Sequence, residues 1–356
     1  MKIVTVIGAR PQFIKASVVS SALQAAARID EVVVHTGQHF DAGMSAVFFD
    51  ELGMKPPDHH LQIHGGGHGE MTGRMLVALE PVLLHEAPAA LLVYGDTNST
   101  LAGALVAAKL QIPVAHVEAG LRSFNMAMPE EINRIITDRV SRWLFTPTAT
   151  ADAHLRREGF DPAQIVRVGD VMYDVALRAG ARAAARDGVL AQLGYAKRGF
   201  VLATIHRAET TDHLPRLAAV AERLPVVWPM HPRTRAVLER EGWLGRLPAG
   251  VRVLDPVGYL DMVQLEMEAA VIATDSGGVQ KEAYFHQVPC VTLRDETEWT
   301  ELVEAGWNRL APPRSADAVR GAVLGALGTR GVAIDPYGRG DAAVRIAERL
   351  FADLGA

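Results

Sequence analysis

Residues 90–120 read ALLVYGDTNSTLAGALVAAKLQIPVAHVEAG. Two short apolar runs, ALLVY and PVAHV, flank a helix-favouring stretch from Ser99 to Leu110, with Asn98 as its possible cap. Neither run alternates apolar with polar residues, which is the pattern of strands covered on both faces. Strand, helix and strand in this order make a βαβ unit, so the two strands are expected to lie parallel with a right-handed crossover.

The same alternation extends in both directions. KIVTVI, EVVVHT, RWLFTPT and QIVRVGD read as further strands of one half, and FVLATIH, PVVWPMH, VRVLDP, AVIATDS and PCVTLRD as strands of another. A chain of 356 residues is longer than one core usually supports. The expected fold is therefore α/β, with two Rossmann-like parallel-sheet domains facing a cleft. The first domain is expected over residues 1–170 and the second over 191–339. A connector helix at 171–190 covers the Ala- and Arg-rich VALRAGARAAARDGVL. A C-terminal helix within 340–356, with Val344, Ala347, Phe351 and Leu354 on one face, is expected to pack back on the first domain.

Charge narrows the function. Lys and Arg total 36 against 41 Asp and Glu, a net charge of −5, and no block of five like charges occurs. Nucleic acid and anionic membranes are thereby disfavoured as partners. The single Cys290, in VPCVTL, has no internal disulfide partner and reads as a buried strand residue, which fits a reducing cytoplasm. The first apolar run, Ile3 to Ile7, is too short for a signal peptide or a membrane span.

Polar motifs follow the apolar runs: GARPQFIK, TGQHF, GDTNST, EAGLRS, HRAET, HPRTR, DSGGVQKE and RDETEW. In parallel sheets, ligands bind beyond the carboxyl ends of the strands, so these segments should converge on one edge per domain. In TDSGGVQKEA, Ser276, Gly277 and Gly278 can open a helix whose unpaired N–H groups face an anion; the plainer alternative is an N-cap serine with glycines in a tight turn. Glu282, inside that helix, cannot bind phosphate but suits a pair of ribose hydroxyls. Together they suit a nucleoside diphosphate. Arg10 and Lys15, beside another helix start, are a second anion candidate. His206, in TIHRAE, can stabilise charge on a leaving phosphate. There is no G-x-G-x-x-G fingerprint, so no nicotinamide cofactor is expected.

Three carboxylates come from separate segments: Asp96 after one strand, Glu118 after another, and Glu130 at a helix start. Acids brought to one site raise one another's pKa, and this allows a general acid and a general base to coexist. Taken singly, Asp96 reads as a turn cap, Glu118 as a salt-bridge partner of Arg122, and Glu130 as a first-turn helix acid. Glu131 is rotated about 100° from Glu130 on a helix and reads as structural. Arg122 and Arg134 are available to hold the acids or a substrate. His59, His60, His64 and His68 are close in sequence, but the GGG between them breaks helical presentation, so no metal site is expected. IHGGGHGEMTGR reads as a loop entering a helix.

In order along the chain, GARPQFIK, YGDTNST, HVEAGLRS, MPEEINR, TIHRAE, DSGGVQKEA and RDETEW resemble the non-hydrolysing UDP-N-acetylglucosamine 2-epimerases, from Gly8 to about Arg309. The resemblance implies the GT-B arrangement, a homodimer, a UDP-sugar substrate and no cofactor or metal. It implies anti elimination of UDP and re-addition after protonation of C2 from the other face. It assigns acid/base roles to Asp96, Glu118 and Glu130, and the diphosphate to His206, Arg10, Lys15 and Ser276 to Gly278. Arg134 falls to substrate binding and Glu282 to the ribose. PVGYLDM, including Val257 and Met262, falls to the uracil, largely through backbone. Trp299, where the common family has arginine, and Ala9 to Gln12 in the early motif resemble a branch acting on UDP-2,3-diacetamido-2,3-dideoxy-glucuronate. Gln38 and His39 persist from a patch that binds an activating second UDP-GlcNAc elsewhere in the family, but Asp41 and Gly43 follow, which argues against that regulation. The alternative is a GT-B glycosyltransferase using a UDP-sugar donor, which gives no reason for carboxylates on both faces of C2.

Overall fold

The run ALLVY forms strand Ala90–Tyr94, and all five of its residues are without solvent exposure. It pairs in parallel with Lys2–Ile7 on one side and Val114–Val117 on the other, Leu92 lying opposite Thr5 and Ala115. The computed structural model describes residues 1–26, 29–38, 53–186, 188–205, 221, 223–230, 232–312 and 314–355. Within them the chain forms two units by internal contacts. One comprises Met1–Val175 with Asp335–Ala356 and the other Ala176–Ile334, the division falling inside helix Val171–Ala184.

In chain order the first unit's strands are β1 (Lys2–Ile7), β2 (Asp30–His35), β3 (His59–His60), β4 (Ala90–Tyr94), β5 (Val114–Val117), β6 (Trp143–Thr146) and β7 (Ile165–Arg167), arranged β3-β2-β1-β4-β5-β6-β7. The second unit's are β8 (Val201–Thr204), β9 (Val226–Pro229), β10 (Val251–Leu254), β11 (Val271–Thr274), β12 (Cys290–Thr292) and β13 (Asn308–Leu310), arranged β10-β9-β8-β11-β12-β13. Every described pairing is parallel, and in each sheet the strand order reverses direction between its first and fourth strands, the switch point where such sheets bind ligands. Each expected strand is present. The edge strands β3 and β13 were not anticipated, because neither carries an apolar run.

Covering on both faces explains the missing alternation. In the second sheet Val201, Ala203, Val226 and Trp228 pack with Val319 and Val323, while Leu202, Val227, Ile272 and Cys290 pack on the other face with Leu265 and Ala283. In the first, Val4, Val6, Leu91 and Val93 meet Met75, Leu79 and Leu83 of helix His68–Glu86 and Ala102 of helix Asn98–Lys109. Thr97, not Asn98, caps the latter helix, its hydroxyl accepting from Thr100 N at 3.3 Å. No helix among the described residues is long and apolar enough to cross a membrane.

The last helix, Ala342–Leu354, belongs to the first unit. Its buried stripe is Ala343, Ile346, Ala347 and Leu350, spaced i, i+3, i+4, i+7; Val344, expected on the packed face, is 51% exposed. The helix is tethered by Asp174, whose carboxylate accepts from Ala343 N at 2.8 Å and Ala342 N at 3.2 Å.

Burial pushes the Asp174 carboxyl from its ordinary 3.8 up to about 6; the two amides oppose the rise and the charges of Asp170 and Asp341 add to it. The folded state therefore holds this proton more tightly than the unfolded chain. The group's contribution to stability is full below pH 3.8 and lost as pH rises through about 6. The melting temperature of the wild type relative to Asp174→Asn is expected to fall across that window. A pH-independent difference would show that the carboxyl titrates normally.

Candidate active site

The site on the first unit is built where β1, β4 and β5 end side by side. After β1 the chain turns at Gly8, which has no room for a side chain, since a Cβ there would lie 2.1 Å from both Ser99 Oγ and Thr36 Oγ1. Helix Arg10–Ala25 follows, with Arg10 half-buried at its start and Pro11 in its first turn. Gln12, buried, accepts from Gly8 N at 2.8 Å and Ala9 N at 3.0 Å, and donates to Tyr94 O and Thr100 Oγ1, both at 2.9 Å. The amide accepts two bonds at Oε1 and donates two from Nε2, so Gln12 ties the first strand's loop to the end of the fourth.

One turn further along that helix, Lys15 forms an ion pair with Glu118, their side chains 11% and 12% exposed. Glu118 has φ +73°, a left-handed backbone that side-chain-bearing residues seldom adopt. Its own N–H and that of Ala119 both donate to Phe145 O, at 3.0 and 3.1 Å, which holds the turn. Gly95, also left-handed at φ +61°, borders the ion pair; a Cβ there would stand 3.2 Å from Glu118 Oε2 and 3.6 Å from Lys15 Nζ. The plainer alternative for Glu118, a salt bridge with Arg122, is not what the structure shows. Arg122 instead bonds Asp138 at 2.8 Å and Glu158 at 2.7 Å, because residues 121–125 form a loop and not a helix that would bring positions four apart together.

Asp96 follows Gly95 and is held by Arg134, Nη1 to Oδ2 at 2.5 Å, while Asn133 Nδ2 donates to the Asp96 carbonyl at 2.8 Å. Its side chain is one-third exposed. Burial pushes its carboxyl above the ordinary carboxylate range; Arg134 and Lys15 oppose this, and the charges of Glu118 and Glu130 add to it. Glu118 and Glu130 are therefore both near enough to act on Asp96. Glu130 is half-buried in the first turn of helix Pro129–Val140. Glu131 points elsewhere and is 1% exposed, accepting from Ser123 N at 3.0 Å, Phe124 N at 2.9 Å and Arg134 Nε at 3.0 Å. Burial alone would raise its carboxyl, but those three donors hold it below the ordinary range.

On the second unit, helix Gly277–Phe285 follows β11 with Ser276 at the N-cap position, its hydroxyl making no capping bond. Ser276 N donates to Thr274 Oγ1 at 2.9 Å, and the Trp299 indole donates to Gly277 O at 2.8 Å, bracing the loop. The buried Lys281 ammonium lies 4.4 Å from the Trp299 ring centroid, in a cation–π contact. Glu282 is half-buried on the same helix. Val257 and Met262 flank the start of helix Tyr259–Glu268 and pack against the core behind β11 and β12.

His206, His39, Asp41 and Gly43 lie outside the described residues. Gln38 accepts from Ser99 N at 3.1 Å and Ser99 Oγ at 2.7 Å. The neighbouring histidines turn to different partners: His59 to Glu86 at 2.7 Å, His60 stacked on His35 at 4.4 Å between centroids, and His68 toward Asn98. Sequence reasoning passed over Gln12, His116 and Asp138. The first was visible only as a motif variant, and the other two sit inside a strand and late in a helix, where no local signal marks them.

A family described as UDP-N-acetylglucosamine 2-epimerase matches residues 21–351 of the chain. The chain is 55% identical, over 98% of its length and 99% of the relative's, to UDP-2,3-diacetamido-2,3-dideoxy-D-glucuronate 2-epimerase of Pseudomonas aeruginosa. Its fold is similar to the crystal structure of UDP-GlcNAc 2-epimerase of Methanocaldococcus jannaschii in complex with UDP-GlcNAc and UDP, with TM-score 0.86 and 41% identity over 99% of this chain and 100% of that one. The Neisseria meningitidis UDP-GlcNAc 2-epimerase bound to UDP-GlcNAc is also similar, with TM-score 0.88 and 28% identity over 99% and 100%.

Glu130 and Glu131 separate chemistry from scaffolding. Glu131→Gln, which leaves buried donors short of an acceptor, is expected to cost about 2–4 kcal/mol in denaturant unfolding. Glu130→Gln is expected to stay within about 0.5 kcal/mol of the wild type. Equal costs at the two positions would sink this division.

Proposed function

The chain belongs to the UDP-N-acetylglucosamine 2-epimerase family, and from that premise we propose that it inverts C2 of a UDP-2-acetamido sugar, with UDP-2,3-diacetamido-2,3-dideoxy-glucuronate as its substrate. It is an isomerase acting on a UDP-sugar. The substrate branch is supported by 55% identity to the Pseudomonas aeruginosa enzyme across nearly both whole chains. The observation that carries the chemistry is the placement of Asp96 and Glu118 at adjoining strand ends, with Asp96 raised by burial and by the charges of Glu118 and Glu130.

In the proposed reaction one carboxylate removes the C2 proton as the C1–O bond to UDP breaks, leaving a 2-acetamidoglycal. UDP then adds back to C1 while C2 takes a proton on the opposite face. Glu118, ion-paired with Lys15, is the acceptor in one direction, and Asp96 is the donor, its proton held more tightly through burial and the charges of Glu118 and Glu130. Charge developing on UDP falls to the N-terminus of helix Gly277–Phe285, to Arg10 and to His206. Arg134 orients Asp96 and contributes to substrate binding, Glu282 takes the ribose hydroxyls, and the backbone from Val257 to Met262 takes the uracil. A homodimer in the cytoplasm completes the proposal. The largely exposed Val77 and Leu84 of helix His68–Glu86 supply apolar surface for the dimer, and size-exclusion chromatography with light scattering tests it.

The decisive experiment is incubation in D2O with UDP-GlcNAc and, separately, with the diacetamido-glucuronate nucleotide, followed by NMR. Deuterium at C2 and the C2 epimer are expected with the latter. Silence with both would reject epimerisation, and acceptor-dependent UDP release with C2 unchanged would point to glycosyl transfer. Asp96→Asn and Glu118→Gln are each expected to lower kcat on the order of 10²–10⁴-fold, with UDP binding largely kept.

A further inference from the structure

Behind the acids lies a buried group that the proposed chemistry does not use. His116, in the middle of β5, and Asp138, near the end of helix Pro129–Val140, are both wholly buried. His116 Nδ1 is 2.6 Å from Asp138 Oδ1, and Nε2 is 2.7 Å from the carbonyl oxygen of Gly95. The other Asp138 oxygen accepts from Gly120 N at 3.1 Å and from Arg122 Nη1 at 2.8 Å. Burial by itself would raise the Asp138 carboxyl, but His116 and Arg122 outweigh it and keep it below the ordinary range.

The hydrogen-bond inventory settles what His116 does. A carbonyl oxygen can only accept, so Nε2 carries a proton. An ionised Asp138 likewise only accepts, so both bonds are satisfied together only when Nδ1 carries a proton as well and the ring donates in both directions. The bonds join the segments that bear the three acids. Gly95 immediately precedes Asp96, Gly120 lies two residues after Glu118, and Asp138 shares its helix with Glu130. Gly95 N in turn donates to Val117 O at 3.0 Å, next to Glu118.

We propose that His116 is a positioning residue: by donating to both Asp138 and the Gly95 carbonyl it locks the Gly95–Asp96 peptide and so sets the spacing of Asp96 and Glu118. The inference rests on the acid/base reading of those two residues. A neutral ring protonated only at Nδ1 would release the Gly95 carbonyl and leave the peptide carrying Asp96 free to shift, and one protonated only at Nε2 would leave Asp138 Oδ1 without its donor.

Two measurements test it. In the intact wild-type protein with ¹⁵N-labelled histidine, NMR is expected to show His116, assigned by backbone correlation, protonated at both nitrogens and slow to exchange. An unprotonated nitrogen there overturns the proposal whether or not any variant folds. His116→Gln and Asp138→Asn are then assayed with the nucleotide sugar that the wild type turns over. With displaced acids, kcat is expected to fall on the order of 10–10²-fold while KM changes less than about threefold. Wild-type kcat in a folded His116→Gln, or equal losses in kcat and nucleotide binding, overturns the positioning role. If the wild type epimerises neither nucleotide, the acid/base reading fails, and the NMR result still decides the hydrogen-bond arrangement.

Discussion

A carboxylate shut away from water is tolerable only where donors surround it, and Asp138 is the residue whose requirement organises this part of the first unit. Its donors come from three places: His116 on β5, Gly120 in the turn beyond β5, and Arg122 in the loop that follows. Satisfying them fixes helix Pro129–Val140 against the carboxyl ends of the strands. Loss of one partner would strand a buried charge, a penalty of several kcal/mol, so the arrangement resists partial disruption. The same helix carries Asn133 and Arg134, and its docking places their side chains at the turn bearing Asp96.

Four acids in this region then acquire different characters from their surroundings. Glu131 and Asp138 are the more deeply buried, yet backbone amides, Arg134, His116 and Arg122 hold both below the ordinary carboxylate range. Burial raises the Asp96 carboxyl against the opposing charge of Arg134, and Glu118 and Glu130 add to the rise. Donor count therefore separates the carboxylates that hold the scaffold from the one suited to keep a proton. Glu118 is paired with Lys15 on a backbone turn that few residues other than glycine adopt. A left-handed backbone at a residue with a side chain persists only where its surroundings over-determine it, and the paired amides on Phe145 O serve that end.

Much of this was legible in the sequence. Apolar runs of four to six residues marked the central strands, and glycine or charge at their ends marked the loops that carry the acids and the Ser276–Gly278 helix start. What was misread shares a cause. The edge strands His59–His60 and Asn308–Leu310 have no apolar run and owe their pairing to a neighbouring strand. Arg122 stands four residues from Glu118, but without a helix there that spacing means nothing, and the guanidinium turns to acids contributed by other elements. Val344 fell outside the packed stripe because the face a helix buries depends on what it docks against, here helix Arg10–Ala25.

By itself the sequence determined the fold class, the central strands and the polar loops at their ends, because run length and flanking residue types are local properties of the chain. The tertiary structure alone decided the partnerships. Lys15 meets Glu118 across 103 residues, and Asp96 meets Arg134 across 38. Those meetings follow from the order β1-β4-β5, which sets strand ends distant in sequence next to each other. Charge pairing depends on distance in space, and in a parallel sheet that distance is set by strand order and not by position along the chain.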